Sequence, residues 1–409
     1  MGKKIKILQL APRFPFPMDD GGKIGMGNIT KEFSKQGAEV TLFTYSEKKD
    51  PIPKSAIEQC EEFASLILCE HSTRNTPLRI FNSFIRNEPL FITKHSSSKV
   101  IDFFSDIISK EKFDIVHADH SSMAPFALLC KSVQNIPAGL RLHNIEWIIW
   151  QRYAERFSKL SPQRFYLEKQ AIALKKSESE FLKKMDVSFS ITEIDRNRAL
   201  ELAPEANIIT AKAGVNPDAW KPDESITKNK NELILATTYD WIHNIDAVKW
   251  FVNQVLPKVK TKIPEIKLTL LGKFAPEWLK NYKDIGVNVV GYVDKVQPYL
   301  NKANIYISPL FVGGGIRIKI LEAMAMSLPV VATPVAAEGI NATIESGLFI
   351  SQNENEFAEN IIKLIQNPEL VQSAGKAARE FILREHSWEK NVEIIMNEYQ
   401  RLAEQYKKS

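Results

Sequence analysis

The stretch from Ser308 to Pro334, SPLFVGGGIRIKILEAMAMSLPVVATP, puts three consecutive glycines, Gly313, Gly314 and Gly315, directly before a helical pattern whose first turn carries Arg317 and Lys319. Cations are unfavourable at a helix start by roughly 0.3–1 kcal/mol each, because that end already carries unsatisfied N–H groups and partial positive charge. A docked anion removes the penalty. Glycines let backbone N–H groups close on the anion, which is how helix starts hold phosphate. Counting the helix from about Gly315, Lys319 and Glu322 share a face, while Ile320, Leu321 and Met324 point to a core. Glu322, one turn in, is placed to accept hydrogen bonds from sugar hydroxyls. A plain strand–turn–helix with solvated charges is the alternative, and the phasing of glycines, cations and carboxylate at a strand end favours the anion. Other phosphate signatures fail: there is no GxxxxGK[ST], and no GxGxxG follows the first strand.

These residues need elements to hold them. The first half of the chain alternates short apolar runs with helical patterns: KIKILQLA, a loop with Pro15, Pro17, Gly21 and Gly22, a helix over GNITKEFSKQG, then EVTLFTY, FDIVHAD, AGLRLHN and DVSFSIT. The polar segment NPDAWKPDESITKNKNE, Asn216 to Glu232, reads as a linker, and the alternation restarts after it with LILATTY, KLTLLG, VNVVGYV, NIYISPL and PVVAT. Strands alternating with helices imply parallel sheets covered on both faces. The predicted fold class is therefore α/β, with two Rossmann-like parallel-sheet domains, at 1–220 and 221–385. A closing amphipathic helix at 386–409 is expected to pack back on the first domain, with Val392, Ile395, Met396, Tyr399 and Leu402 on one face. In such sheets ligands bind beyond the carboxyl ends of the strands, so the predicted site is a cleft faced by both domains.

A length of 409 residues is too much for one core, which supports two domains. The formal charge of +5 is too mild for a nucleic-acid partner and suits an anionic small molecule or an acidic membrane surface. Cys60, Cys69 and Cys130 are odd in number and lack CxxC spacing, so neither a disulfide framework nor a zinc site is indicated. The apolar run after Met1 stops at Pro12 and Arg13, too short for a signal peptide, and no window has the apolar length of a membrane span. The expected location is cytoplasmic, with room for peripheral contact at the inner face of a membrane.

The motif GGGIRIKILEAMAMSLPVVATPVAAEGI, with GYVDKVQPYLNKANIYISPL before it, resembles family 4 (group 1) of the glycosyltransferases, whose fold is GT-B. TTYDWIHNIDAVKWFV and APRFPFPMDDGGKIG add similarity to bacterial members that build surface polysaccharides. The resemblance implies a retaining transfer of a sugar from a nucleotide-diphosphate donor to a saccharide or lipid-linked acceptor, with no metal or other cofactor. It implies that Glu322 binds ribose hydroxyls, and that Lys319, Arg317 and the amides of Gly313 to Gly315 hold the diphosphate. Gly291, Tyr292 and Val293, with Asp294, would lie against the base. His143 would stand near the reacting sugar, and Gly21 and Gly22 would let the first loop approach the donor phosphates. The chain departs from the family at Gly314, where a carboxylate usually stands, and after the second domain's first strand, where Asp240, Trp241, His243 and Asn244 replace a basic pair.

Several residues carry two readings. His143 is a loop histidine or a site residue. His117 is structural or functional, while Asp119 and His120 border an acceptor. Asp240 and Asn244 cap the following helix or contact substrate, with capping favoured for Asn244. Glu338 touches the donor sugar or is solvated. In PLRIFNSFIRNEPLFITKH, Pro77 to His95, the apolar residues pack on the sheet or form a patch for a lipid-linked acceptor or membrane. A nucleotide-sugar epimerase on the same fold and a non-catalytic nucleotide-sugar-binding subunit are the rival functions. The missing fingerprint argues against a nicotinamide enzyme.

Overall fold

The computed structural model describes residues 4–312 and 316–408. The chain forms two compact units: Met1–Lys212 with Trp388–Ser409, and Ala213–Ser387. The break falls before the residues 220/221 read from the sequence, because the start of the polar segment packs on the second unit. Val215 bridges Ser387, and Arg379 Nη1 donates to the Trp220 carbonyl at 2.8 Å.

The first unit holds seven parallel strands: β1 (Lys6–Leu10), β2 (Glu39–Ser46), β3 (Ser65–Glu70), β4 (Ile115–Ala118), β5 (Ala138–Leu142), β6 (Val187–Ser190) and β7 (Ile208–Thr210). Their order is β3-β2-β1-β4-β5-β6-β7, so the direction of winding reverses between β1 and β4. Strands such as IVHA and VSFS are buried along their whole length, polar side chains included, as parallel strands covered on both faces must be. The second unit has six: β8 (Glu232–Ala236), β9 (Lys267–Leu271), β10 (Val287–Gly291), β11 (Ile305–Ser308), β12 (Val330–Ala332) and β13 (Leu348–Ile350). The order β10-β9-β8-β11-β12-β13 reverses between β8 and β11. All pairings in both sheets are parallel.

The last helix, Trp388–Lys408, belongs to the first unit. Its 3.6-residue stripe of Val392, Ile395, Met396, Tyr399 and Leu402 is buried there. Tyr399 lies within 2.5 Å of His117 Nδ1, and Gly139 makes room for it, since a Cβ at 139 would sit 2.1 Å from the Tyr399 hydroxyl. His117 is thus a structural residue, tied to the closing helix.

One local expectation is corrected. The first helix spans Gly21–Lys35 rather than starting at Gly27, because Asp20 caps it by accepting from the amides of Gly22 and Lys23.

Candidate active site

In each sheet the chain reverses its winding at one point, and ligands of doubly wound sheets bind there, beyond the strand ends. In the first unit the residues following β1, β4 and β5 meet at that point. Asp119 lies just after β4, and its carboxylate is completely buried. Oδ1 accepts from Arg141 Nη1 at 3.1 Å and from His143 Nε2 at 2.8 Å; Oδ2 accepts from Gln9 Nε2 at 2.9 Å. Gln9 is held in turn by the Thr30 hydroxyl at 2.8 Å. Burial pushes the Asp119 carboxyl up, but the Arg141 guanidinium and the His143 hydrogen bond outweigh it and hold it well below the usual carboxylate range. Burial, with Arg141 beside it, lowers His143. The imidazole is therefore neutral, and its Nε2 lies between the Asp119 carboxylate at 2.8 Å and the Arg141 Nη1 donor at 3.1 Å.

His120 stacks between Phe91 and His143, with ring centroids 5.1 Å from each, and its Nε2 is 3.6 Å from Glu146 Oε1. Burial raises the Glu146 carboxyl to about 7. Behind it, Glu178 accepts from the amides of Glu146 and Trp147 at 3.0 and 3.1 Å. It caps the helix Glu146–Ala154, whose own N-cap, Ile145, offers no side-chain acceptor. Burial raises Glu178 to about 8.

Gly21 and Gly22 open a helix rather than a loop. The Gly22 amide is already used by Asp20, which is also forked to Arg13 at 2.9 and 2.5 Å. A Cβ at Gly22 would come within 2.3 Å of Arg13 Nη2, whereas Gly21 faces open space. The role at Gly22 is thus to seat an ion pair that occupies the helix start.

In the second unit, the helix predicted from Gly315 begins at Ile318 and runs to Ala325, with Arg317 at its N-cap, where no side-chain cap forms. Gly313, Gly314 and Gly315 lie outside the described residues. Lys319 stands in the first turn, its side chain 41% exposed, and donates from Nζ to Glu322 Oε2 at 2.9 Å. Glu322 is buried, and that burial raises its carboxyl against the pull of Lys319. Lys319 Nζ also lies 5.9 Å from the ring of Trp220. The Thr333 hydroxyl donates to the Leu310 carbonyl, pinning the segment that leaves β11. Glu338 is half-buried just past the short helix Pro334–Ala337.

Gly291 ends β10 at φ +85°, where the pairing with β9 shifts register. With Tyr292, Val290, Lys273, Phe274 and Lys280 it lines a depression of about 590 Å³ at the carboxyl ends of β9 and β10. Tyr292 is exposed, and Lys273 Nζ lies 4.6 Å from its ring centroid. Gly272 turns the chain here at φ +143°, where a Cβ would collide with the Thr237 carbonyl oxygen at 1.6 Å. Val293 follows Tyr292 just past this depression.

Asp240 and Asn244 do not cap the following helix, Ile242–Trp250, whose N-cap is Trp241. Asp240 accepts from the Thr238 hydroxyl at 2.6 Å, and the Asn244 amide donates to the Thr238 carbonyl at 2.7 Å, so both brace the turn after β8. Sequence reasoning passed over Arg141, Glu178 and Gly272. Two had a visible signal: an arginine inside the apolar run AGLRL, and a glutamate in register with Leu167, Ala171, Leu174 and Leu182 along one helix stripe. Among the described residues, no group of three or more His, Cys, Asp or Glu is placed to hold a metal ion.

Two Rossmann-like units, each with polar residues gathered at its switch point, define the GT-B class. Residues 231–367 match the family model described as Glycosyl transferases group 1. Sucrose-phosphate synthase from Thermosynechococcus elongatus superposes with a TM-score of 0.74 at 16% identity, covering 98% of this chain and 99% of that one. Anabaena HepE, solved in complex with UDP, gives 0.67 at 12% identity over 98% and 100% of the two chains. In sequence, a Klebsiella pneumoniae protein of the cps region, itself uncharacterized, is 22% identical over 96% of this chain and 99% of its own length. The similarity to the group 1 glycosyltransferases is carried by the second unit, whose residues 231–367 match that family's model.

Proposed function

We propose that the protein is a retaining glycosyltransferase that moves a sugar from a nucleotide-diphosphate donor to a saccharide or lipid-linked acceptor in cell-surface polysaccharide synthesis. It would act in the cytoplasm. The observation that carries this reading is the helix start at Ile318: an uncapped end, two cations at or next to it, and a buried Glu322 held by Lys319. Such an end attracts a diphosphate and leaves a carboxylate one turn deeper for ribose hydroxyls. The depression beside Tyr292, Val293 and Gly291 has the exposed ring a nucleobase stacks on. Similarity to a cps-region protein and fold likeness to a protein solved with UDP support donor class and pathway.

In the proposed reaction the bond from the anomeric carbon to the diphosphate oxygen breaks, and a bond to the acceptor oxygen forms on the same face. The acceptor proton passes to the leaving diphosphate. Arg317 and Lys319 stabilise the charge that develops on that leaving group, and transfer needs no metal. His143, neutral and held by Asp119, turns its ring to the sugar as a hydrogen-bonding group rather than a cation. Glu338 contacts the donor sugar, and Gly313 to Gly315 contribute amides to the diphosphate.

Titration calorimetry with UDP, GDP and ADP tests the site. Binding of one of them that weakens at least tenfold in Lys319→Ala and in Glu322→Gln is the expected result; unchanged affinity in both variants overturns it. Donor consumption over a panel of acceptors then separates transfer from epimerisation and from binding without turnover.

A further inference from the structure

The sequence left the apolar residues of Pro77–His95 to pack on the sheet or to face outward. In the structure the helix Pro77–Arg86 buries only Ser83. Leu78, Phe81 and Ile85 are 68%, 62% and 63% exposed. At 3.6 residues per turn these three fall within about 60° of one another, a single apolar stripe facing away from the protein. Phe165, also 62% exposed, extends the stripe onto the helix Pro162–Lys184, where Phe84 packs against it at 6.1 Å between ring centroids. An outward stripe of this size on one helix is unusual for a surface that only meets water.

Its frame is basic. Residues 77–87 contain Arg79 and Arg86 and no acid. Arg79 reaches back to the carbonyls of Ser72 and Arg74 at 2.7 and 2.9 Å, which anchors the helix start. Lys169 donates to the Phe84 carbonyl at 2.9 Å and lies 4.1 Å over the Phe84 ring. Arg86 falls on the helix flank beside the stripe, about 80–100° from Leu78 and Ile85. The one neighbouring acid on the second helix, Glu168, is neutralised by Arg164 at 2.7 Å. Among the described residues no helix is long and apolar enough to cross a membrane. A short helix with an apolar stripe, a cationic rim and one buried residue has the pattern of an element that lies in a bilayer interface.

We propose that the outer face formed by Leu78, Phe81, Ile85 and Phe165 inserts into an anionic lipid surface, with Arg79, Arg86 and Lys169 meeting the headgroups. The occupant is a bilayer rather than a protein because the rim is predominantly basic, Arg79, Arg86 and Lys169 against the exposed Glu88, and anionic headgroups supply the opposite charge all round it. This proposal uses none of the donor-site residues, so each can fail without the other.

Co-sedimentation of the full chain with phosphatidylcholine vesicles, and with vesicles containing phosphatidylglycerol, tests it. Binding is expected only to the anionic vesicles, falling with salt, and more than tenfold weaker in Phe81→Asp/Ile85→Asp; nucleotide affinity and circular dichroism should be unchanged. A second measurement uses Phe81→Cys labelled with an environment-sensitive dye, since the native Cys60, Cys69 and Cys130 are all buried. Its emission should shift to the blue with anionic vesicles. No binding to anionic vesicles, equal binding by the double variant, or a dye that stays in water overturns the proposal. So does wild-type self-association that the double variant abolishes, which would make the face a contact between copies.

Discussion

The polar groups at the two switch points are organised in opposite ways. In the first unit the Asp119 carboxylate is sealed from water and shared among Arg141, His143 and Gln9, so charge is balanced inside the protein. In the second unit Lys319 is half in solvent, Arg317 begins the helix, and the buried Glu322 offsets only part of the positive field. The first cluster is a finished network that orients a histidine. The second pairs a partly exposed Lys319 with Glu322 at a helix start that no side chain caps, where the proposed diphosphate would bind. Removing a member should therefore cost the first unit stability and the second unit binding.

The largest effect should come from Asp119→Ala. It leaves the Arg141 guanidinium buried without its carboxylate, which costs about 3–5 kcal/mol. Urea unfolding of the purified variant measures it; a loss under 1 kcal/mol would mean the network is not the closed system described. Gly272→Ala comes next, at about 1–3 kcal/mol, because the added methyl meets a backbone carbonyl in a conformation that side chains rarely adopt. It should also lower nucleotide affinity by reshaping the depression next to Tyr292.

Lys319→Ala sharpens the contrast from the other side. Its side chain is exposed enough that unfolding should change by less than about 1 kcal/mol, while nucleotide-diphosphate affinity drops tenfold or more, ~1.4 kcal/mol. A variant that loses stability but keeps its affinity would reverse the assignment.

The last contrast is in pH dependence. Glu178 and Glu146 have folded-state values of about 8 and 7, above the ordinary 4.5, so the folded state holds extra protons between those limits. Their contribution is fully present below pH 4.5 and is lost as pH rises through 7 to 8. His117 and His95 act in the opposite sense: burial lowers them to about 4 and 3, so stability is lost as pH falls below 6.5. From pH 6.5 to about 8 the glutamates set the slope, and nearer pH 9 the buried thiols of Cys60 and Cys130, which burial raises to about 12, add to the decline. Melting temperature should therefore decline from pH 6.5 to 9, and Glu178→Gln should flatten that decline. Parallel curves for the two proteins would count against a buried, protonated Glu178.

Much of this was readable from residues alone, and the parts that were not have a common cause. Apolar runs such as KILQL and VVA announced the strands, because a parallel strand buried on both faces needs side chains that do not seek water. The spacing of Lys319 and Glu322 put them on one face, since residues three apart on a helix are neighbours, and the structure pairs them there. The first helix was misplaced at its start because two glycines read as a loop, and only the Asp20 cap converts them to a helical turn. Asp119 and His143 were each noticed singly. Their union depends on β4 lying beside β5, with Ala118 opposite Leu140, and on Gln9 arriving from β1.

The sequence by itself determined the two parallel-sheet units, the helix that returns to the first of them, and which residues share the face of each helix. These follow from periodicity and local sterics, which act over a few residues. Only the tertiary structure decided that Glu178 caps a distant helix, that His143 is held in place by Asp119 and kept neutral by burial and Arg141, and that the stripe of Leu78, Phe81 and Ile85 faces outward. Those outcomes depend on groups far apart in the chain excluding water together, and a pattern along one segment says nothing about what, if anything, covers it.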